Sequence, residues 1–232
     1  MSARKVAAIV SAYYAEKFLK GRIENLLEQE ISQWIVVVCQ EKSIEEEIAL
    51  RMGKPHDIQV ITTPDIPTVY HAWNIGIQFS QSEYIVSANS DDRFYPGGLR
   101  LLAKTLDKYP DYVLSYADVD RVKEIDGKPF GRFEWAEGGL DELLQGCFLG
   151  PMPMWRRSLH EAYGMFDASF ASAGDYEFWL RLAAGGEKFR KVHAVCGAYL
   201  DRKDSVEHRS SVRSTWETSR ARAMYRTEGV PA

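Results

Sequence analysis

Cysteine is scarce in this chain. The three present, Cys39, Cys147 and Cys196, are widely spaced and form no Cys-x-x-Cys pair. That pattern fits a reducing compartment and offers no zinc site. Long apolar runs are missing too, since no stretch approaches the ~20 apolar residues that a membrane span needs. Positive charge is not in excess: the net charge is −4, against the clustered Lys and Arg of a general nucleic-acid binder, so no nucleic-acid partner is expected. Internal repeats, low-complexity tracts and linkers are absent. The opening "MSARKVAAIVSAYYAEK" has the basic start of a signal peptide, but its apolar run is short, contains Ser11, and gives way to Glu16 and Lys17. It reads as a first β-strand. A soluble, cytoplasmic protein of one domain is the expectation.

What is there is enough for a large core, with 45% hydrophobic and 12% aromatic residues over 232 positions. "VAAIV" (6–10) and "WIVVVC" (34–39) lack polar alternation and read as fully buried strands. "DIQVIT" (57–62) and "YIVSA" (84–88) read as two more. A helical segment over 16–28 lies between the first two, with Phe18, Ile23, Leu26 and Leu27 on its apolar face. Ser43 with Glu46 makes a capping box for the next helix. Leu99, Leu102, Ala103 and Leu106 follow the amphipathic helical rule. Strands alternating with helices imply βαβ units and a mixed, mainly parallel sheet flanked by helices, in a Rossmann-like α/β class. The second half is less regular. It predicts a strand over 112–122, a hairpin turning at Asp126-Gly127, a short helix opened by Ser158 and Glu161, and a helix over 175–186. A strand in "KFRKVHAVCGAYL" and a final helix over 206–226 complete it.

Ligands of open α/β sheets bind beyond the carboxyl ends of the parallel strands. "SAYYAEK", "CQEKS" and "NSDDR" fall there. In "YIVSANSDDRFYPGGL", Asp91 and Asp92 stand side by side, and adjacent carboxylates repel, so something positive belongs beside them. Asn89, Asp91 and Asp92 are hard oxygen ligands of the kind that magnesium or manganese prefers, with substrate phosphates completing the shell. The plainer alternative is that one aspartate caps the helix beginning near Pro96. A single cap needs a single acid, which favours the metal. Asp175 in "SAGDYEFWLRL" is the second candidate, its alternative being an acid placed to suit a helix's first turn. Glu177 reads as a solvated acid or a further ligand. Trp179 and Arg181 read as packing and surface.

In this order the residues resemble glycosyltransferase family 2, whose members have the GT-A fold. The resemblance covers roughly 6–205. "VAAIVSAYYAEKFLKGRIENLLEQ" resembles the family's first strand, nucleotide-binding turn and helix. "YHAWNIGIQFSQSEYIVSANSDDRFYPGGL" resembles the segment carrying its DxD metal motif. "LHEAYGMFDASFASAGDYEFWLRLAAGGEKF" resembles the stretch in which "GxFD" precedes an "ED" catalytic helix. The resemblance implies an inverting transfer from a nucleotide-diphospho-sugar to a saccharide or lipid-linked saccharide acceptor, with Mn2+ or Mg2+ at Asp91 and Asp92. It implies Asp175 as general base. Three positions depart from the pattern. Asn89 replaces the first Asp of DxD, Cys39-Gln40-Glu41-Lys42-Ser43 replaces "DDGS", and Gly174 replaces the Glu of "ED".

Further candidates are weaker. Ser11 and Tyr13 follow the first strand, where an aromatic could stack on a base. Gln40 can meet a base edge. Asn74 orients Asp91, touches the donor or caps locally. His208 lies where related enzymes place a metal or diphosphate ligand. Met152 and Met154 line an acceptor pocket or fill the core. The basic helix over 206–226 is compatible with an anionic membrane surface, a homodimer contact or plain solvation. The chain thus divides into a GT-A domain over 1–205, with halves meeting near 110, and a C-terminal helix over 206–232. Two rivals stand beside this reading. A nucleotidyltransferase would want a glycine-rich basic loop after the first strand, which "SAYYAEKFLKG" is not. A binding module that kept the fold and lost catalysis would explain the three departures.

Overall fold

The short apolar runs become strands because both of their faces are buried. In β1 (Val6–Ala12), Val6, Ala8, Val10 and Ala12 enter one core while Ala7 and Ile9 enter the other. A computed structural model describes residues 5–202 and 211–226. The remaining strands are β2 (Gln33–Gln40), β3 (Gln59–Thr63), β4 (Tyr84–Ser87), β5 (Arg93–Phe94), β6 (Leu114–Val122), β7 (Gly131–Phe133), β8 (Met154–Arg156) and β9 (Phe189–Leu200). Among the described residues these form one sheet in the order β3-β2-β1-β4-β8-β6-β9-β5, with β7 on β6. The first four in that order are mutually parallel. β8 runs antiparallel between β4 and β6.

Helices cover both faces. One face carries α1 (Glu16–Leu27), α2 (Ile44–Gly53) and α4 (Gly98–Lys108), through Leu19, Ile23, Ala49, Leu99 and Leu102. The other carries α3 (Val69–Phe79), α5 (Leu140–Gln145), α6 (Leu159–Ala162), α7 (Gly174–Ala184) and α8 (Ser211–Tyr225), through Trp73, Leu143, Leu159, Phe178 and Ala221. Among the described residues, no helix is long and apolar enough to cross a membrane.

Several local expectations change. Ser43 Oγ does accept the Glu46 N–H (3.1 Å), but the Glu46 carboxylate takes the Lys42 N–H rather than that of Ser43. Ser158 makes no side-chain cap, because its backbone is already helical and the Glu161 carboxylate pairs with Arg157. Met152 and Met154 do not line an acceptor pocket: both are buried in the core, and Met154 opens β8 at the middle of the sheet. Neither aspartate caps α4, whose N-cap is Gly97 in the left-handed region (φ 78°). Of the final helix, α8 is seen, and 206–210 lies outside the described residues. α8 is docked on α7 rather than solvated all round, since Glu217 and Ala221 are buried while Val212 and Trp216 face outward.

Candidate active site

Because β1 to β4 are parallel, their carboxyl ends open on one rim. Two of the chain's positive-φ side-chain-bearing residues, Tyr14 (52°) and Lys42 (58°), follow β1 and β2 there. Left-handed backbone at such residues costs on the order of 1–3 kcal/mol and gathers at working surfaces. Asp91 and Asp92 follow β4 at the same rim.

The two aspartates have separate surroundings. Asp92 is 2% exposed. Its Oδ1 accepts the Leu200 N–H (3.1 Å) from the end of β9, and its Oδ2 accepts from Asn89 Nδ2 (3.3 Å). Burial, then repulsion by Asp91, pushes the Asp92 carboxyl up, while Arg22 and the Leu200 N–H pull it down. Its backbone carbonyl is clamped by Arg22 Nη1 (3.0 Å) and Arg93 Nη1 (2.7 Å). Arg22 is fully buried, and burial lowers its guanidinium to about 9. Asp92 therefore anchors the loop, and the expectation that it binds metal gives way to a structural role. Asp91 is half-buried and its Oδ2 is paired with Arg202 through Nε (3.0 Å) and Nη2 (2.9 Å). The positive partners that relieve the repulsion are thus arginines.

A divalent ion fits this corner only with help. Asp91 offers a carboxylate bound by a side chain alone. Asn89 has its amide nitrogen on Asp92, which turns the amide oxygen to another partner. Hard oxygens of this kind suit Mg2+ or Mn2+ when phosphates supply the rest of the shell. Among the described residues, no group of three or more His, Cys, Asp or Glu could hold an ion by itself. His208 lies outside the described residues.

Asp175 is half-buried in the first turn of α7, and its Oδ1 accepts from the Tyr70 hydroxyl (2.9 Å) and the Tyr176 N–H (2.8 Å). Tyr70 opens α3 just after the rim, so this bond ties Asp175 to the same end of the sheet as Asp91. Burial, then the Asp175 charge, raises the Tyr70 phenol well above its ordinary value, so it stays a donor. A Cβ on Gly174 would lie 2.7 Å from the Tyr70 ring. The glycine is there because Tyr70 fills the space in which a side chain would stand.

Two further acids surround this helix. Glu177 is neither a solvated acid nor a further ligand: it is 2% exposed, and its Oε1 accepts from Arg181 Nε (3.1 Å) and the Tyr225 hydroxyl (2.6 Å). Glu217, which sequence reasoning missed, is 1% exposed and reaches over from α8. Its Oε2 accepts the N–H groups of Ala171 (3.0 Å), Ser172 (2.8 Å) and Ala173 (3.1 Å). α7 has no side-chain cap of its own, so Glu217 supplies an acid at its positive end. Burial would raise the Glu217 carboxyl, but those N–H groups and Arg213 outweigh it and hold it low.

The remaining predicted residues divide. Ser11 is half-buried on β1, level with Val38. Tyr13 is exposed beside Tyr14, ring centroids 4.3 Å apart. Gln40 Nε2 donates to the Pro64 carbonyl (3.1 Å), which leaves its amide oxygen as acceptor. Asn74 is bonded to the second half of the chain. Its amide bonds the Phe166 backbone both ways, Nδ2 to O (2.8 Å) and N to Oδ1 (3.0 Å), and so fixes the "GMFD" turn against α3.

A family model for glycosyl transferase family 2 matches residues 7–161. The chain belongs to glycosyltransferase family 2. That match includes the Asn89–Asp92 loop and ends before Asp175. Among curated proteins of the family, the chain is 24% identical over 201 residues to an uncharacterized glycosyltransferase, YwdF, of Bacillus subtilis, covering 84% of this chain and 73% of that one. Among solved structures, S. aureus TarS (1–349) superposes with a TM-score of 0.75 at 16% identity, over 98% of this chain and 67% of that chain. TarS has been seen with UDP and with UDP-GlcNAc. The mannosyltransferase PcManGT of Pyrobaculum calidifontis, in complex with GDP-Man and Mn2+, superposes with a TM-score of 0.70 at 16% identity, over 95% of this chain and 65% of that chain. The family 2 enzyme described here has the mixed α/β GT-A fold that the residues led us to expect.

Proposed function

We propose that this glycosyltransferase moves a sugar from a nucleotide-diphospho-sugar to a hydroxyl of a saccharide or lipid-linked saccharide, with inversion. Assembly of cell-surface polysaccharide or lipopolysaccharide is the setting suggested by the family. The observation that carries the reading is the presentation of two half-buried carboxylates, Asp91 and Asp175, at one end of the sheet.

On the donor side, Tyr13 offers a ring face to the base, Ser11 lies beneath it, and the Gln40 oxygen accepts a ring N–H. Gln40 thereby replaces the family's acid with a neutral acceptor. Asp91, with the Asn89 oxygen, would hold Mn2+ or Mg2+. A bound ion would supply neutralisation of the diphosphate's developing charge. On the acceptor side, Asp175 takes the proton of the acceptor hydroxyl as its oxygen bonds to the anomeric carbon. The bond from that carbon to the diphosphate oxygen breaks at the same time, and the diphosphate leaves with the electron pair. Attack from the opposite face inverts the centre. Tyr70 fixes one Asp175 oxygen and so sets the orientation of the carboxylate.

The test is release of nucleoside diphosphate from a panel of UDP-, GDP-, CDP- and dTDP-sugars with manganese, water serving as acceptor where no other is known. Release from one donor, lost in Asp175→Asn, supports the reading. Full release by Asp175→Asn would remove the base assignment. A catalytically silent binding module would bind a nucleotide and release nothing from any donor.

A further inference from the structure

We propose that Arg202 is a built-in counter-cation that closes Asp91 to a bare divalent ion and transfers to the donor's diphosphate when ion and donor arrive together. The inference rests on the reading of Asp91 as the donor-side metal ligand. Its geometric basis is the pairing of Arg202 Nε and Nη2 with one Asp91 oxygen, at 3.0 and 2.9 Å. The guanidinium is also held from behind, 4.8 Å above the Phe18 ring of α1. Its backbone is registered to the loop it guards. Leu200 donates to Asp92, Asp201 N–H bonds the Val122 carbonyl (2.9 Å), and the Asp201 side chain pairs with Arg121. Arg202 is the next residue, opposite Asp91.

Charge around the loop points the same way. Among the described residues, Arg22, Arg93 and Arg202 lie around Asp91 and Asp92, and Asp126 also acts on Arg93. With Arg202 on Asp91, a bare divalent ion must displace a cation that is already in place. A diphosphate changes the balance, because it brings oxygens for the ion and an anion for the displaced arginine. Guanidinium forks match phosphate as well as carboxylate, so Arg202 exchanges one bidentate partner for another. Among the described residues the ligand set is too small to hold the ion first, which agrees with entry of ion and diphosphate together.

The experiment titrates Mn2+, read by the electron spin resonance of free ion, into the full chain with and without inorganic pyrophosphate. The wild-type protein should bind Mn2+ weakly alone and at least tenfold more tightly with pyrophosphate. In Arg202→Gln, Mn2+ alone should bind severalfold more tightly, because a half-exposed ion pair is worth up to about 1 kcal/mol, or fivefold. Pyrophosphate without Mn2+ should bind severalfold more weakly. A general loss of structure would weaken both, so opposite shifts identify Arg202. Phe18→Leu, which loosens the guanidinium's support, should move both affinities in the same directions by less. Tight, pyrophosphate-dependent Mn2+ binding that Arg202→Gln leaves unchanged would overturn the role of Arg202 alone. No Mn2+ binding to either protein, with or without pyrophosphate, would overturn the donor-site reading and this inference with it.

Discussion

The corner proposed for the donor, at Asp91, and the corner proposed for the acceptor, at Asp175, solve one problem in different ways. Each brings acids together and must keep one presented. At the donor corner, Asp92 is buried as an anchor while Asp91 faces the rim, and the balancing charge comes from arginines. At the acceptor corner, Glu177 and Glu217 are buried while Asp175 is presented, and the support is a phenol hydroxyl and a helix end. A cation holds the carboxylate that would bind an ion. The Tyr70 hydroxyl holds one oxygen of the carboxylate that is proposed to take a proton. The adjacent acids are therefore not duplicates, and each member should fail differently.

Substitutions can break this division. The largest effect is expected from Asp175→Asn, which should lower turnover about 10²–10⁴-fold, the usual contribution of a positioned base. Nucleotide affinity, read by calorimetry, should stay the same. Asp92→Ala should cost on the order of 1–3 kcal/mol of stability, because it leaves the buried Leu200 N–H without its acceptor. Asp91→Ala should cost less than about 1 kcal/mol, since its pair is partly exposed. Urea unfolding of the two variants makes the comparison, and equal losses would erase the distinction drawn between them. Glu217→Gln should cost on the order of 2 kcal/mol through a weakened cap of α7. It should also lower turnover without changing nucleotide affinity, because α7 carries Asp175.

A smaller effect sharpens the comparison through pH. His160 accepts from Trp155 Nε1 (2.8 Å) and stacks on Phe178, behind the acceptor corner. Burial lowers its pKa to about 4. Its folded value lies below the unfolded one of ~6.5, so the unfolded chain binds the extra proton between them. Stability should therefore be full above about pH 6.5 and fall as pH drops toward 4, by on the order of 1–2 kcal/mol after allowing for partial exposure. Urea midpoints at pH 4.5 and 7 check this, and His160→Asn should flatten the slope.

Much of the fold was legible because burial writes itself into short sequence windows. Continuous apolar runs marked β1, β2 and β4, and helical spacing marked α4. β8 was missed because it begins inside the proline-rich "GPMPMW" and is only three residues long. β5 is two residues long and leaves no period to read. In the site, the presented acids were legible from their places after β4 and at the start of α7. Their supports were not. Tyr70 meets Asp175 across 105 positions, Arg202 meets Asp91 across 111, and Glu217 caps α7 from about 45 away. No local pattern encodes such pairings. Asn74 and Asp92 were misread for the same reason, since the partners that occupy them, Phe166 and Leu200, lie 92 and 108 positions off. The repulsion between Asp91 and Asp92 was a sound signal of nearby positive charge, and that charge turned out to be guanidinium.

One titration separates the roles of Asp91 and Asp92: UDP, GDP, CDP and dTDP into the purified protein by calorimetry, with and without manganese, in wild type, Asp91→Ala and Asp92→Asn. The account predicts manganese-dependent binding of one nucleotide, lost in Asp91→Ala and retained by whatever fraction of Asp92→Asn remains folded. Binding of no nucleotide, or binding that survives Asp91→Ala unchanged, would contradict it.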